Sequence, residues 1–328
     1  MRTLILAAVL IFALPVHAAP AVMTGISLAK PIACTLGRDC LIQQYFDHDA
    51  ESGASDYTCG TESYDGHDGT DFRLPDKMAQ ARGVAVLAAA DGVVAALRDG
   101  EPDFDVGAFD ENLVKGKECG NGVVLRHADG WETQYCHMRQ GSVAVHVGQN
   151  VRTGDRLGLV GQSGDAAFVH LHLSVRHNGQ KIDPFGPDAV CHAGANLKTS
   201  LWRPADRAEL AWRDTQVLNI GFAARAVSMD DIERGGITMP RTQSPALVAY
   251  VRAISLHEGD VLSLVLSGPD GEMARQDTPP LDHDKAQYEM FVGKKLTTAS
   301  WPAGDYRGAF TVTRNGRVIL SRTVNGRL

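Results

Sequence analysis

The chain has 328 residues, of which 44% are hydrophobic and 22% are charged, and its formal net charge is −7. This length suggests two domains, and the composition is ordinary for a soluble globular protein. Residues 19–200 hold 15 Lys and Arg against 24 Asp and Glu, a net charge of −9, whereas residues 201–328 hold 16 against 15, a net charge of +1. Neither half has the basic surface that binds nucleic acid, so that class of function is excluded.

The first residues have the pattern of a secretory signal peptide, which we predict over residues 1–18. Arg2 precedes an apolar run, and the small-x-small sequence Val-His-Ala ends at Ala18. The apolar run is shorter than the about 20 residues that a transmembrane helix needs, although an uncleaved anchor is the alternative. We therefore expect an exported protein, periplasmic or secreted, with no integral membrane segment after cleavage.

The six cysteines support export, because an even number in an oxidising compartment indicates three disulfides. Sequence alone cannot choose among the fifteen possible pairings. The pairings that we expect are Cys34–Cys40, which is local, Cys59–Cys119 and Cys136–Cys191. A thiolate metal site is a weaker alternative, since no Cys-x-x-Cys pair occurs. Because alternate strand residues point to opposite faces, Cys136 should place its bridge behind the face that carries His137.

From residue 61 to about residue 183, short runs of period two are separated by glycines, and this pattern predicts a mainly antiparallel β domain. The runs include VAVLAA, GVVAAL, GVVLRH, ETQYCHM, SVAVHVGQNV and RLGLVGQSG. Asn178-Gly179 predicts a tight hairpin turn. An acidic insertion at 98–119 interrupts the strands. It is interpreted as a solvated loop fixed by Cys119, or as a groove wall or calcium loop, although its spacing does not match an EF-hand.

Beyond residue 198 the composition changes, and we predict a second domain over 199–328. Residues 200–215 could form a short helix or linker, and the following alternating runs are typical of a small β-sandwich of Ig-like type. The sequences GPDG and RNGR predict hairpin turns. This domain has no cysteine and no His/Asp/Glu cluster. Its role is open between binding the cell wall or a partner and packing against the first domain, which we favour.

Two histidines share one strand in the sequence VHLHLSV. His170 and His172 should point to the same face with their Cα atoms about 6.6 Å apart, which suggests metal binding. Additional candidate ligands are His67 and Asp71, which are four residues apart. A fully extended strand would separate these two by about 13 Å, so Gly69 must bend the backbone between them.

Two imidazoles and one carboxylate form a ligand set that suits Zn²⁺ and leaves a fourth position open, as in catalytic sites. Such an ion makes amide hydrolysis accessible, and a nearby histidine can exchange protons at neutral pH. The sequence therefore predicts one Zn²⁺ per chain.

The motifs GHDGTDF and HLHLSVRHNGQKIDPF resemble those of the lysostaphin-type zinc endopeptidases. The first resembles their Gly-x-His-x-Gly-x-Asp motif and the second their His-x-His strand. The sequence YCHM is similar to their Tyr-x-His-Leu element, with Met138 in place of Leu. The resemblance covers residues 60–187, within a catalytic domain predicted over 19–198.

This resemblance implies a β-rich catalytic fold in which His67, Asp71 and His172 hold zinc. It also implies that His137 and His170 are the catalytic pair, one a general base and the other stabilising the oxyanion, in an order that the sequence does not give. The implied substrate is the peptide part of bacterial peptidoglycan, and we expect a monomer. The alternative is a non-catalytic regulator of another wall hydrolase, but such members lose the ligands that are all present here. The other histidines, such as His127, are interpreted as structural.

Overall fold

The structure is a computed structural model that describes residues 25–108, 110–188 and 190–328. The predicted signal peptide, 1–18, lies outside the described residues. Within these ranges, no helix combines the length and the apolar character needed to cross a membrane. Strands predominate and pair antiparallel, so the prediction of a mainly β fold is confirmed.

The N-terminal part is built from short strands. They are β1 Leu41–Gln44, β2 Thr70–Arg73, β3 Ala85–Leu87, β4 Gly92–Arg98, β5 Asn121–Arg126, β6 Trp131–Met138, β7 Asn150–Val151, β8 Arg156–Leu159, β9 His170–His177 and β10 Gln180–Ile182. Two short helices accompany them, α1 Lys77–Arg82 and α2 Glu111–Val114. The predicted run over 142–151 forms only β7, because residues 142–149 are irregular apart from a turn at 147–148.

One large sheet with the order β1-β2-β9-β6-β5-β4-β7 carries the N-terminal part, and β10 pairs with the end of β9. The β9–β10 hairpin turns at Asn178 and Gly179, with φ values of 50° and 82°, as the Asn-Gly pair predicts. Strands β3 and β8 form a separate small sheet. The core beneath the sheet includes Phe72, Leu125, Tyr135 and Leu171, all fully buried.

The C-terminal part contains two antiparallel sheets that share one core. Its elements are α3 Pro204–Leu210, β11 Gln216–Ala223, α4 Met229–Arg234, β12 Ala246–Leu256, β13 Val261–Gly268, β14 Gly271–Asp277, β15 Lys285–Lys295, β16 Asp305–Arg314 and β17 Arg317–Arg327. The sheet orders are β11-β12-β15 and β14-β13-β16-β17. Val251 of one sheet and Leu264 and Phe310 of the other lie in the shared core, which makes a sandwich. Its Ig-like type stays a prediction.

Along the chain, the N-terminal core extends beyond the predicted domain boundary at residue 198. Leu201, Trp202 and Leu210 all belong to the core of the N-terminal part. Helix α3 therefore packs with the first part, and the second core begins with strand residues such as Phe222. The domain bounds stay predictions, and this packing favours a division after Leu210.

Three disulfides join all six cysteines, and one of the three predicted pairings is correct. Cys34–Cys40 is present, but the expected Cys59–Cys119 and Cys136–Cys191 bridges are wrong. The observed bridges are Cys59–Cys191 and Cys119–Cys136. The physical reason is proximity. Antiparallel β5 and β6 return the end of the insertion to Cys136, while the His192 N–H donates to the Tyr57 carbonyl and holds the Cys191 segment beside Cys59.

Buried ionic groups connect the sandwich to the large sheet. Arg73 of β2 and Arg252 of β12 both contact Glu233 of α4, with nitrogen-to-Oε2 distances of 3.0 and 2.6 Å. Arg252 also donates to the Pro75 carbonyl oxygen. Both arginines are essentially inaccessible to solvent. Their charges therefore depend on Glu233, because water cannot solvate them.

Replacing Glu233 by Ala should destabilise the protein by about 3–5 kcal/mol, since two buried guanidinium groups lose their counter-charge. The free energy of unfolding from denaturant titration measures this. Glu272→Ala is the matched control, because Glu272 pairs with Arg275 in solvent and should have little effect. Equal stability of the two variants would contradict the interpretation.

A second buried carboxylate lies between the two parts of the chain. Glu62 borders a cavity of about 210 Å³, together with Gln44 from β1 and Ser255 and His257 from the sandwich. Neither carboxylate oxygen of Glu62 accepts a hydrogen bond within the described residues. Burial and, to a smaller extent, the nearby Asp56 carboxylate raise the pKa of Glu62 to about 9.

The stability of the protein should therefore fall as the pH rises between the ordinary pKa of Glu62 and about 9. In this window the folded state keeps a proton that the unfolded state has lost, so deprotonation favours unfolding. Glu62→Gln removes this effect and should stabilise the protein by about 1–3 kcal/mol at pH 8 and by much less at pH 5. Denaturant titration at both pH values tests this. Exposed Glu51→Gln controls for the loss of one charge.

Candidate metal centre

Strands β2 and β9 bring the predicted ligands together through their register. Asp71 pairs with His172 and Arg73 pairs with His170 across the antiparallel ladder. Directly opposite residues in such a ladder point to the same face of the sheet. His67 lies in the turn before β2, where its N–H donates to the Tyr64 carbonyl oxygen. The three residues are therefore drawn from two adjacent strands and one turn.

Three donor atoms converge at this point. His67 Nε2 lies 3.2 Å from His172 Nδ1 and 3.3 Å from Asp71 Oδ1, and His172 Nδ1 lies 2.9 Å from Asp71 Oδ1. All three residues are buried, and their donor atoms lie within 4.8 Å of one another. The expectation that Gly69 allows His67 and Asp71 to reach one point agrees with this geometry.

The outer ring nitrogens of the two histidines are held by protein groups. His67 donates its Nδ1–H to the Tyr45 carbonyl oxygen over 2.6 Å, which leaves Nε2 free as a donor to an ion. His172 Nε2 lies 3.1 Å from Asp68 Oδ1 and 2.9 Å from Ser174 Oγ, and Nδ1 faces the other ligands. Such outer partners orient histidine ligands of metals, so the donor set fits Zn²⁺.

The carboxylates and the imidazole rings of this cluster stabilise each other's charged forms. Burial alone would raise the pKa of Asp71, but His67, His170 and His172 lower it well below its ordinary value. Burial alone would lower the pKa of His172, but its contacts with Asp68 and Asp71 raise it to about 9. The cluster thus concentrates negative charge on Asp71 and Asp68 beside imidazole rings, as a cation site requires.

The other two predicted residues, His137 and His170, lie beside the three donors. Their ring centroids are 4.5 Å apart, and His170 Nε2 is 3.5 Å from Asp71 Oδ1. His137 donates Nδ1–H to the Ser163 carbonyl oxygen, and His170 donates Nδ1–H to that of Phe168, over 2.8 and 2.9 Å. Each ring therefore has Nε2 available as a proton acceptor.

Both rings are held neutral. Burial lowers the pKa of His137 well below its ordinary value, and the nearby His170 and His172 lower it further. Burial also lowers the pKa of His170, although Asp71 opposes this shift. The structure brings all five predicted site residues together, and their individual roles stay predictions.

A groove of about 220 Å³ opens beside these residues. Its lining includes Asp68, Glu118, Cys136, His137, His172 and Arg176. The Cys119–Cys136 disulfide therefore borders the same groove as His137, and the prediction that it lies behind that face is wrong. His137 has φ = 59°, which breaks strand alternation at the end of β6, while Cys136 pairs directly with His172.

The acidic insertion contributes to the wall of this groove. Glu118 and Cys119, at its C-terminal end, line the groove. Asp103, near its start, accepts from the backbone N–H groups of Gln162 and Gln140 over 2.5 and 3.0 Å. Of the interpretations made from sequence, this geometry favours the groove wall.

Comparison with known proteins identifies the segment that carries the site. Residues 65–184 match the family described as peptidase family M23. This segment is similar in sequence to M23 peptidase domains. The resemblance to lysostaphin-type peptidases is thereby confirmed, and the segment contains the first motif and all of the second except Phe185.

Curated relatives match over a segment of similar length. The DD-carboxypeptidase/endopeptidase Mpg of Neisseria meningitidis is 35% identical over 120 residues, which are 36% of this chain and 22% of that protein. The peptidoglycan DD-endopeptidase ShyA of Vibrio cholerae is 31% identical over 117 residues, with the same two coverages, 36% and 22%. The aligned segment thus spans only about a fifth of the length of either relative.

Solved structures are similar to part of the chain at low TM-scores. A zinc-containing peptidase from Vibrio cholerae has 22% identity and a TM-score of 0.33, covering 48% of this chain and 39% of that one. The catalytic domain of lysostaphin from Staphylococcus simulans has 22% identity and a TM-score of 0.27, covering 43% and 85%. The similarity to M23 domains rests on the sequence match.

Sequence reasoning missed the residues that support the ligands. Asp68 stands within the GHDGTDF motif, and Ser174 follows His172 at the next position on the same strand face, so the spacing could have indicated both. Tyr45 acts through its backbone carbonyl, which leaves no signal in the sequence. His127 contacts the Asp91 carbonyl oxygen and Thr133 Oγ1, a structural arrangement.

Gly69 should contribute to metal affinity because His172 packs against it. A Cβ at this position would lie 2.5 Å from the Leu173 carbonyl oxygen and 2.6 Å from His172 Nε2. Gly69→Ala should therefore displace the ring and weaken Zn²⁺ binding by about 10–100-fold, the scale for disturbed outer-shell partners. Competition with a chromophoric chelator measures the affinity.

Gly25→Ala is a suitable control, since a Cβ there would meet only the Leu201 side chain at 3.5 Å. Unchanged Zn²⁺ affinity in Gly69→Ala would show that the packing of His172 does not depend on this glycine.

Proposed function

We propose that the protein is an exported zinc metalloendopeptidase that hydrolyses peptide bonds in the stem peptides or cross-links of bacterial peptidoglycan. The convergence of His67, Asp71 and His172 inside a segment similar to M23 domains, with two further histidines beside them, carries this proposal. Curated relatives named as peptidoglycan DD-endopeptidase and DD-carboxypeptidase/endopeptidase support the substrate class.

The five site residues have two different roles in this proposal, metal binding and proton transfer. Zinc held by the three ligands supplies Lewis acidity toward water and toward the peptide carbonyl. His137 and His170 act beside it through Nε2, because their Nδ1–H groups are engaged by backbone carbonyls. As neutral rings they can accept a proton from the attacking water, and a protonated ring can then donate to the oxyanion or to the leaving amine.

Location outside the cytoplasm belongs to the same proposal. The sequence of residues 1–18 favours secretion, and three disulfides require an oxidising compartment to persist. We propose a periplasmic or secreted monomer. Disulfide mapping of the protein recovered from its native compartment tests this part.

Metal content and muropeptide cleavage, measured together on single variants, test the assignment. His172→Ala should lose both zinc and activity, because only two protein ligands remain. His170→Ala should keep zinc but hydrolyse about 10²–10⁴-fold more slowly, the usual contribution of general acid–base catalysis. His127→Ala, away from the groove, controls for the loss of an imidazole. Zinc loss in His170→Ala with zinc retained in His172→Ala would reverse the roles.

The non-catalytic alternative makes a different prediction for the unmodified protein. A regulator of another wall hydrolase would leave muropeptides intact whether or not zinc is present. Digestion with and without a chelator, read by mass spectrometry, separates the two functions and also identifies the bond that is cut.

A further inference from the structure

The groove has an uneven distribution of charge around the ligands. Glu118 and Asp165 lie on the side where the insertion approaches His137, and the Asp165 N–H donates to the Glu118 carbonyl oxygen over 2.7 Å. Asp68 is already engaged by Lys181 Nζ at 2.5 Å and by His172. Among the described residues that line the groove, Arg176 is the single arginine or lysine.

The strand itself directs Arg176 into this groove. His172, Ser174 and Arg176 follow at every second position of β9 and so share one face. Arg176 lies about 13 Å from His172 between Cα atoms, at about 3.3 Å per residue. An extended peptide bound across His172 would therefore reach Arg176 within a few residues of the cleaved bond.

The neighbours of Arg176 hold its guanidinium group in place without neutralising it fully. Its Nη1 donates to Gln134 Oε1 over 2.7 Å, and the Gln134 amide in turn contacts Cys136 Sγ. Its Nε lies 3.5 Å from Glu132 Oε2, a long ion pair. Within the described residues, Nη2 of Arg176 has no protein partner. The side chain of Arg176 is 21% exposed to solvent.

A guanidinium group that is fixed on one edge and open on another is suited to a carboxylate. Arginine binds carboxylates through paired N–H groups, and such charge-assisted bonds are roughly twice as strong as neutral ones. Arg176 and Ser174 both line the groove, so a peptide bound there would lie beside the guanidinium group. An amide in place of the carboxylate would lose the charge and one acceptor atom.

We propose that Arg176 binds a free carboxylate of the substrate peptide and so makes the groove selective for acidic over amidated stem peptides. This inference rests on the proposed function, because it assigns the ligand of the same groove. Arg176 is a specificity-determining residue here and takes no part in proton transfer.

Peptide binding and peptide cleavage, measured separately, test this selectivity. The probes are one synthetic stem peptide with free carboxylates and the same peptide with these groups amidated, titrated calorimetrically into the full, zinc-free chain. The unmodified protein should bind the acidic peptide about 10–100-fold more tightly, the scale of a hydrogen-bonded charge. Arg176→Gln should bind both peptides equally, at the affinity of the amidated one.

Two further variants separate recognition from folding. Arg176→Lys keeps the charge and should recover part of the preference, although a lysine loses the paired geometry. Arg126→Gln is the matched control, since Arg126 is an exposed arginine of β5 near Glu132, with Nε at 3.8 Å, and should keep the full preference. In cleavage assays Arg176→Gln should raise KM for the acidic peptide and leave kcat unchanged.

The outcomes distinguish this inference from the proposed function. Selective binding of the acidic peptide without any cleavage would contradict the proposed function but would still support the binding role of Arg176. Equal binding of the two peptides by the unmodified protein, or no binding of either, would overturn the inference. A preference that survives in Arg176→Gln would overturn it too.

Discussion

The antiparallel register between β2 and β9 is the constraint on which the candidate centre depends. Because side chains alternate along a strand, a slip of one residue would turn Asp71 or His172 to the opposite face and separate the donors. Gly69 protects this register by leaving space for the ring of His172. The Tyr45 carbonyl then fixes His67 from the neighbouring segment, so the ligand geometry follows from backbone pairing.

The sandwich also supports the site, through the buried charges at its contact with the large sheet. Glu233 holds Arg73, whose guanidinium carbon lies 4.1 Å from the centre of the Phe168 ring. The Phe168 carbonyl accepts the Nδ1–H of His170. Removal of Glu233 would therefore affect the orientation of His170 as well as stability, which gives the C-terminal part a physical connection to the groove.

The opposite side of the groove depends on one unusual backbone conformation. The left-handed φ of His137 turns its ring toward His170, and its N–H donates to the Cys119 carbonyl oxygen over 2.8 Å. The Cys119–Cys136 disulfide links the end of the insertion to the residue that precedes His137. A conformation that costs energy for a non-glycine residue is thus held by a hydrogen bond and a covalent link at once.

The sequence by itself determined the features that depend on local geometry. Strand periodicity placed His170 and His172 on one face, Asn178-Gly179 specified a hairpin, and the motifs indicated which residues could bind zinc. Only the tertiary structure decided the partner of Cys136, the face of His137 and the connection through Glu233. Each of these depends on which distant segments meet, or on a single φ angle that tertiary contacts impose against the local preference of the strand.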